Sequence, residues 1–140
     1  MQKLVFLKLL VHVSRLWTRQ WVNSTNIAFP KGYLWGASTE KLTAHLPKGR
    51  NPLGFDTLIL ADLLFNHSEH SKLVKTVQET LNRTSSSRAL VFFTPYRPRL
   101  LEKDLAFFNV ARENGFTVAK IFEKVMDKVM FEEDPGVSSS

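Results

Sequence analysis

From residue 55 onward the chain changes period repeatedly. Phe55-Asp56-Thr57-Leu58-Ile59-Leu60-Ala61 is short and almost continuously apolar, the pattern of a strand covered on both faces. Asp62 ends it. Leu73, Val74, Val77 and Leu81 then recur at helical spacing between Glu69 and Asn82, and Asn66 followed three residues later by Glu69 has the form of a capping box. A polar break, Thr84-Ser85-Ser86-Ser87, leads into a second covered strand over 89–94, stopped by Pro95 and Pro98. Residues 100–114 predict a further helix with Leu101, Leu105, Phe108 and Ala111 on one face and Gly115 as its stop. The alternation over 116–125 predicts a partly covered strand. The polar tail over 132–140 is expected to fray.

Strand, helix, strand, helix, strand is the order of a layered α/β sheet with right-handed crossovers. The two apolar strands should therefore be parallel neighbours, with the helix near 69–82 between them in sequence. Ligands in such sheets sit beyond the carboxyl ends of the strands. That places interest on Asp62-Leu63-Leu64-Phe65-Asn66-His67 and on Pro95-Tyr96-Arg97-Pro98. The plainer alternative is that Asp62 and Asn66 cap a helix and Arg97 is a solvated loop residue. The residue pattern leaves both open.

The start of the chain reads differently. Apolar residues at 9, 10, 13, 16 and 17 follow helical spacing among Lys3, Lys8, Arg15 and Arg19, which predicts a basic amphipathic helix over residues 1–21. With no acid in it, the segment also fits a mitochondrial presequence or a helix lying on a membrane surface, the plainer alternative being a buried or artefactual leader helix. A secretory signal fits less well, because Lys8 interrupts the apolar run and no small-residue cleavage site follows. No apolar run reaches the roughly 18–20 residues of a membrane span.

Composition bounds the rest. The chain has 140 residues, 44% of them apolar, which suits one domain with a core rather than a disordered chain. The net charge of +6 is concentrated early: residues 1–54 carry eight Lys/Arg against Glu40 alone, and the remainder is nearly neutral. That distribution lacks the basic, aromatic-studded face of a nucleic-acid binder. Without cysteine there is no disulfide, thiolate metal site or cysteine nucleophile, and a reducing compartment fits. The six glycines form no G-x-G pair, so neither a dinucleotide fingerprint nor a P-loop is present. His67 and His70 flank Glu69 but have no third ligand nearby in sequence, so no metal site is expected. Ser68 lacks a nucleophile elbow. The Asn-x-Ser/Thr triplets at Asn23, Asn66 and Asn82 are expected to be chance.

Several strings carry a resemblance. Gly32-Tyr33-Leu34-Trp35-Gly36, then Phe65-Asn66-His67-Ser68-Glu69-His70, then Arg97-Pro98 with Leu101-Glu102-Lys103-Asp104-Leu105, and finally Met130-Phe131-Glu132-Glu133-Asp134 occur in this order. Over about residues 31–136 they closely resemble the fungal protein N-terminal and lysine methyltransferases of elongation factor 1-alpha, in methyltransferase family 16. The resemblance implies a Rossmann-like α/β sheet of seven strands and methyl transfer from S-adenosyl-L-methionine to a protein amine. It implies Trp35, at the end of the third strand, and Ala61 as cofactor-binding. Asp62, Phe65, Asn66 and His67 are implied beside the substrate amine. Phe65 stands where many relatives have Tyr, and Tyr96 replaces a His.

The family's glycine loop and ribose-binding acid precede its third strand and have no counterpart here. The expectation is thus a partial sheet, with strands 3–6 retained and strands 1, 2 and 7 missing. Residues 1–29 would be an unmatched basic leader, 30–134 the partial methyltransferase domain and 135–140 a disordered tail. No catalytic side chain is assigned. The expected partner is translation elongation factor 1-alpha in the cytoplasm, with no nucleic acid and no membrane span. The alternative is a catalytically inactive remnant acting as a protein-interaction domain.

Overall fold

The computed structural model describes residues 3–8, 32–49, 54–95 and 97–124. Its elements in chain order are β1 (Lys3–Lys8), α1 (Glu40–Thr43), β2 (Thr57–Ala61), α2 (His70–Thr80), β3 (Arg88–Phe92), α3 (Leu101–Glu113) and β4 (Thr117–Glu123). Short 3-10 turns at His67–Glu69 and Pro98–Leu100 lead into α2 and α3. The strands form one sheet in the order β2-β3-β1-β4, parallel throughout.

The two apolar runs are parallel neighbours as expected, with Thr57 opposite Arg88 and Ala61 opposite Phe92. Helix α2 lies between them in sequence. Its His70, Leu73, Val74, Val77 and Thr80 are buried, spaced to form one stripe. The stripe packs into a core with Leu60, Leu64, Ala89, Val91 and Phe107. Gly54 lets the chain enter β2 beside the end of α2: a Cβ there would lie 2.7 Å from the Asn82 backbone. Phe55 makes two main-chain bonds at this crossing, its N–H donating to Thr80 O and its carbonyl accepting the Asn82 N–H.

Helix α3 begins with Glu102 and Asp104 in its first turn, where carboxylates complement the helix dipole. It ends as expected at Gly115, whose φ is +86°. Gly115 N–H donates to Arg112 O and Phe116 N–H to Ala111 O, the paired bonds of a Schellman stop.

Several expectations are corrected. The chain does not begin as a helix: Lys3–Lys8 is a strand inserted between β3 and β4. Its Leu4-Val5-Phe6-Leu7 run suits a pleated ribbon, and parallel strands on both sides bond its main chain. The helical spacing cited for this region begins only at residue 9, outside the described residues. Gly32-Tyr33-Leu34-Trp35-Gly36 is not the end of a strand. It turns, with Ala37 N–H donating to Leu34 O, and Gly36 N–H donates to Thr76 Oγ1 on α2.

Three of the expected strands are therefore seen, as β2, β3 and β4, and β1 supplies the fourth. Among the described residues β2 is the sheet's edge and is covered on one face only: Leu60 is buried while Thr57, Ile59 and Ala61 are exposed. The buried face of α3 is Asp104, Phe107, Phe108 and Ala111, and Leu105 is exposed. The Asn66 side chain caps nothing; the 3-10 turn intervenes and α2 starts at His70. Asn82 is buried and donates to Asp56 Oδ1, consistent with a chance triplet. Tyr96, residues 125–140 and the 9–31 segment lie outside the described residues.

Candidate functional site

The carboxyl ends of β2 and β3 open into a cleft of about 410 Å³, lined by Asp62, Phe65, His67, Thr94, Arg97 and Asp104 among others. This is where a parallel α/β sheet places ligands, because the loops leaving the strands diverge there. Asp62 is its hinge. Its φ is +54°, a left-handed conformation that Asp tolerates better than most side chains but that still costs about 1–2 kcal/mol. The sharp turn keeps Asp62 N–H on Phe92 O at 2.7 Å while Oδ1 accepts the Thr94 N–H at 3.0 Å. The carboxylate thereby ties the exits of the two strands together.

Leu64 is fully buried and anchors the loop, so Phe65 beside it is turned outward and is 72% exposed. An exposed ring at a cleft mouth beside two carboxylates suits a cationic amine, through the negative face of the ring and the carboxylate charge together. Arg97 adds one cation to the rim.

Deeper in, the His67 Nε2–H donates to Asp104 Oδ1 at 2.6 Å. Asp104 is only 8% exposed, although it sits on the first turn of a helix. A carboxylate is rarely buried without a partner, and His67 supplies one.

The neighbouring ring, His70, stands edge-on to His67 at 5.6 Å and to Phe107 at 5.5 Å. Its Nε2–H donates to Leu64 O at 2.9 Å. Burial pushes the His70 pKa below the usual 6.5, and the nearby His67 adds to this. The Leu64 carbonyl and Asp104 act in the opposite direction. His70 is thus a neutral structural ring that holds the loop carrying Phe65 and His67.

The sequence-derived residues divide between two places. Asp62, Phe65 and His67 meet in the cleft just described. Asn66 is exposed beside it, its Oδ1 accepting from Ser68 Oγ. Trp35 is half-buried and lines a second cleft of about 590 Å³ along β2 and α2, with Tyr33, His45, Leu58, Ile59 and Thr76. Ala61 is exposed at the end of β2 and lines neither cleft.

The sequence reading missed Asp104, His70 and Thr94 as members of the site. A signal for Asp104 was present, since 104, 107, 108 and 111 share a helical stripe of which Asp104 is the polar member. His70 lay three residues from His67, the spacing of side chains on one helical face.

The second cleft matches only part of S-adenosylmethionine. Its Trp35 ring and aliphatic walls suit a flat adenine. Among the described lining residues, however, no carboxylate is placed for the two ribose hydroxyls and no glycine loop offers N–H groups. The described residues fit the adenine portion and not the whole cofactor. No group of three or more His, Cys, Asp or Glu able to hold a metal ion occurs among the described residues.

No protein-family model matches the chain. Curated fungal relatives do. The chain is 54% identical over 105 residues to the protein N-terminal and lysine N-methyltransferase efm7 of Aspergillus fumigatus, covering 75% of this chain and 40% of that protein. It is 57% identical over 106 residues to the protein of the same name from Neurospora crassa, covering 75% and 38%. To the Schizosaccharomyces pombe protein it is 43% identical over 105 residues, covering 75% and 40%. The chain thus spans about 40% of the length of the curated relatives it matches.

Proposed function

From a chain homologous over three-quarters of its length to fungal protein N-terminal and lysine N-methyltransferases, we propose that its cleft is the acceptor-amine site of an S-adenosylmethionine-dependent protein methyltransferase. The acceptor is the N-terminal amine, a lysine amine, or both, of translation elongation factor 1-alpha, and the setting is the cytoplasm. The single observation that carries the proposal is the convergence of Asp62, Phe65 and the His67–Asp104 pair at the carboxyl ends of two parallel strands. In this reading Asp62, Phe65, Asn66 and His67 contact the acceptor, and Trp35 and Ala61 lie on the cofactor side.

An ammonium group has no lone pair, so it must be oriented and relieved of a proton before it can attack a methyl carbon. Phe65 and Asp62 suit the orienting step: the ring face and the carboxylate both favour a cation. His67 suits the proton step. The partial burial of His67 and the burial of Asp104 restrict the water that would otherwise screen their charges. S-Adenosylmethionine would supply the electrophilic methyl group.

A second reading, a catalytically inactive interaction domain, is favoured by the lack of a ribose carboxylate among the described residues of the Trp35 cleft. Two or three absent polar anchors, at roughly 1.5–3 kcal/mol each when charge-assisted, would turn a micromolar site into a millimolar one.

Calorimetric titration of S-adenosylmethionine into the chain, followed by labelled methyl transfer onto purified elongation factor 1-alpha, separates the two. Micromolar binding with transfer supports the methyltransferase reading. Binding no tighter than millimolar, with elongation factor 1-alpha still captured, supports the interaction domain and rejects the enzyme.

A further inference from the structure

Asp104 comes from a different element than the rest of the cleft, and its burial calls for a reason. It lies on the inward stripe of α3 between Leu101 and Phe108, at a position where a leucine would suit the core. Its side-chain partner among the described residues is the His67 ring, 37 residues earlier in the chain, at 2.6 Å. A carboxylate accepts and cannot donate, so it selects the imidazole form with hydrogen on Nε2. In the neutral ring that leaves Nδ1 as the basic nitrogen. The second ring packed against His67 is His70, committed to the Leu64 carbonyl.

We infer that Asp104 is a positioning residue that fixes the tautomer and orientation of His67 so that Nδ1 is the atom that takes a proton from the acceptor ammonium. The inference rests on the acceptor-amine reading above. In the step, one N–H bond of the ammonium breaks and an N–H bond forms at Nδ1. The positive charge moves from the substrate to the imidazole, where the Asp104 carboxylate faces it, and the amine keeps the electron pair. The proton then leaves to water, because the His67 side chain is partly exposed. A carboxylate that orients a base and balances its charge is the arrangement of catalytic triads on unrelated folds. Among the described residues, the charged and titratable groups around His67 are Glu69 on its own turn, His70 from α2, Asp104 from α3, and Asp62 and Arg97 at the strand ends.

The test needs no cofactor. Two-bond proton–nitrogen spectra of the full chain, recorded where His67 is neutral, should show hydrogen on Nε2. Asp104→Ala should give a mixture of tautomers, with Asp104→Leu, which fills the core position without an acceptor, as the second variant should the alanine chain not fold. A lysine peptide with a free amine, titrated into the wild type, should shift the Nδ1 resonance, whereas its trimethyl-lysine counterpart should not. Asp104→Ala should bind the free-amine peptide roughly tenfold more weakly. Hydrogen on Nδ1 in the wild type, an unchanged tautomer in both variants, or equal shifts from the two peptides would each overturn the inference. Failure of methyl transfer, by contrast, would count against the enzyme reading and leave these spectra to judge Asp104.

Discussion

The cleft at the strand ends and the cleft along β2 draw on similar apolar residues but differ in how they are finished. In the first, two strand exits, the 3-10 turn before α2 and the first turn of α3 converge, and the polar groups meet one another: Asp62 with the Thr94 N–H, His67 with Asp104, His70 with the Leu64 carbonyl. In the second, β2 is the end strand of the sheet and Ile59 is 67% exposed. A cleft bounded by several elements fixes its polar groups in one geometry. A cleft bounded by an edge strand leaves main-chain groups and apolar side chains for something else to cover.

The largest expected effect probes the core behind the first cleft. Phe107 is fully buried and packs edge-on against both His70 and Phe108. Phe107→Ala should cost about 3–5 kcal/mol in urea unfolding. The matching change at the second cleft, Leu58→Ala, removes a half-buried side chain at the sheet edge. It should cost about 1–2 kcal/mol. Equal losses would mean that the second cleft is as well packed as the first.

A third expectation concerns pH. The folded pKa of His70 is lowered, so the folded chain resists a proton that the unfolded chain accepts below about 6.5. The contribution of His70 to stability is therefore complete above that value and is lost as pH falls toward the folded pKa. His70→Gln, which retains a donor for the Leu64 carbonyl, should flatten the fall in melting temperature between neutral and mildly acidic pH. An identical slope in the variant would remove His70 as its source.

The smallest thermodynamic effect is expected on the open edge. Ile59→Lys should change stability by no more than about 0.5 kcal/mol, yet raise the concentration at which light scattering begins. A charge on an exposed edge strand opposes edge-to-edge pairing. Unchanged scattering would show that aggregation, if any, starts elsewhere.

Much of this molecule is legible in its residue pattern, and the places where the pattern misleads share a cause. The stripe Leu73, Val74, Val77 and Leu81 and the stop at Gly115 are read directly, because each is decided within one helix by side-chain period or by φ. Helix α3 is read at nearly the right length but with its face rotated. An apolar stripe through Leu105 looks better in isolation, and only the partner on the 67–69 turn makes burial of Asp104 favourable. The same blindness hides His70. Its ring is a structural prop because Leu64 offers a carbonyl and Phe107 a face, and both contacts depend on how the elements pack.

The sequence by itself determined that three of the strands belong to a parallel α/β sheet, that β2 ends at Ala61 and which loop carries Asp62, Phe65 and His67. Those features follow from local periodicity and turn chemistry, which act over a few residues. Only the tertiary structure decided that Lys3–Lys8 is a strand between β3 and β4, that β2 is the edge, and that Trp35 and His67 face different clefts. Those outcomes depend on main-chain hydrogen bonds and buried charges whose partners lie tens of residues away. The pattern within one segment carries no record of which distant segment will satisfy it.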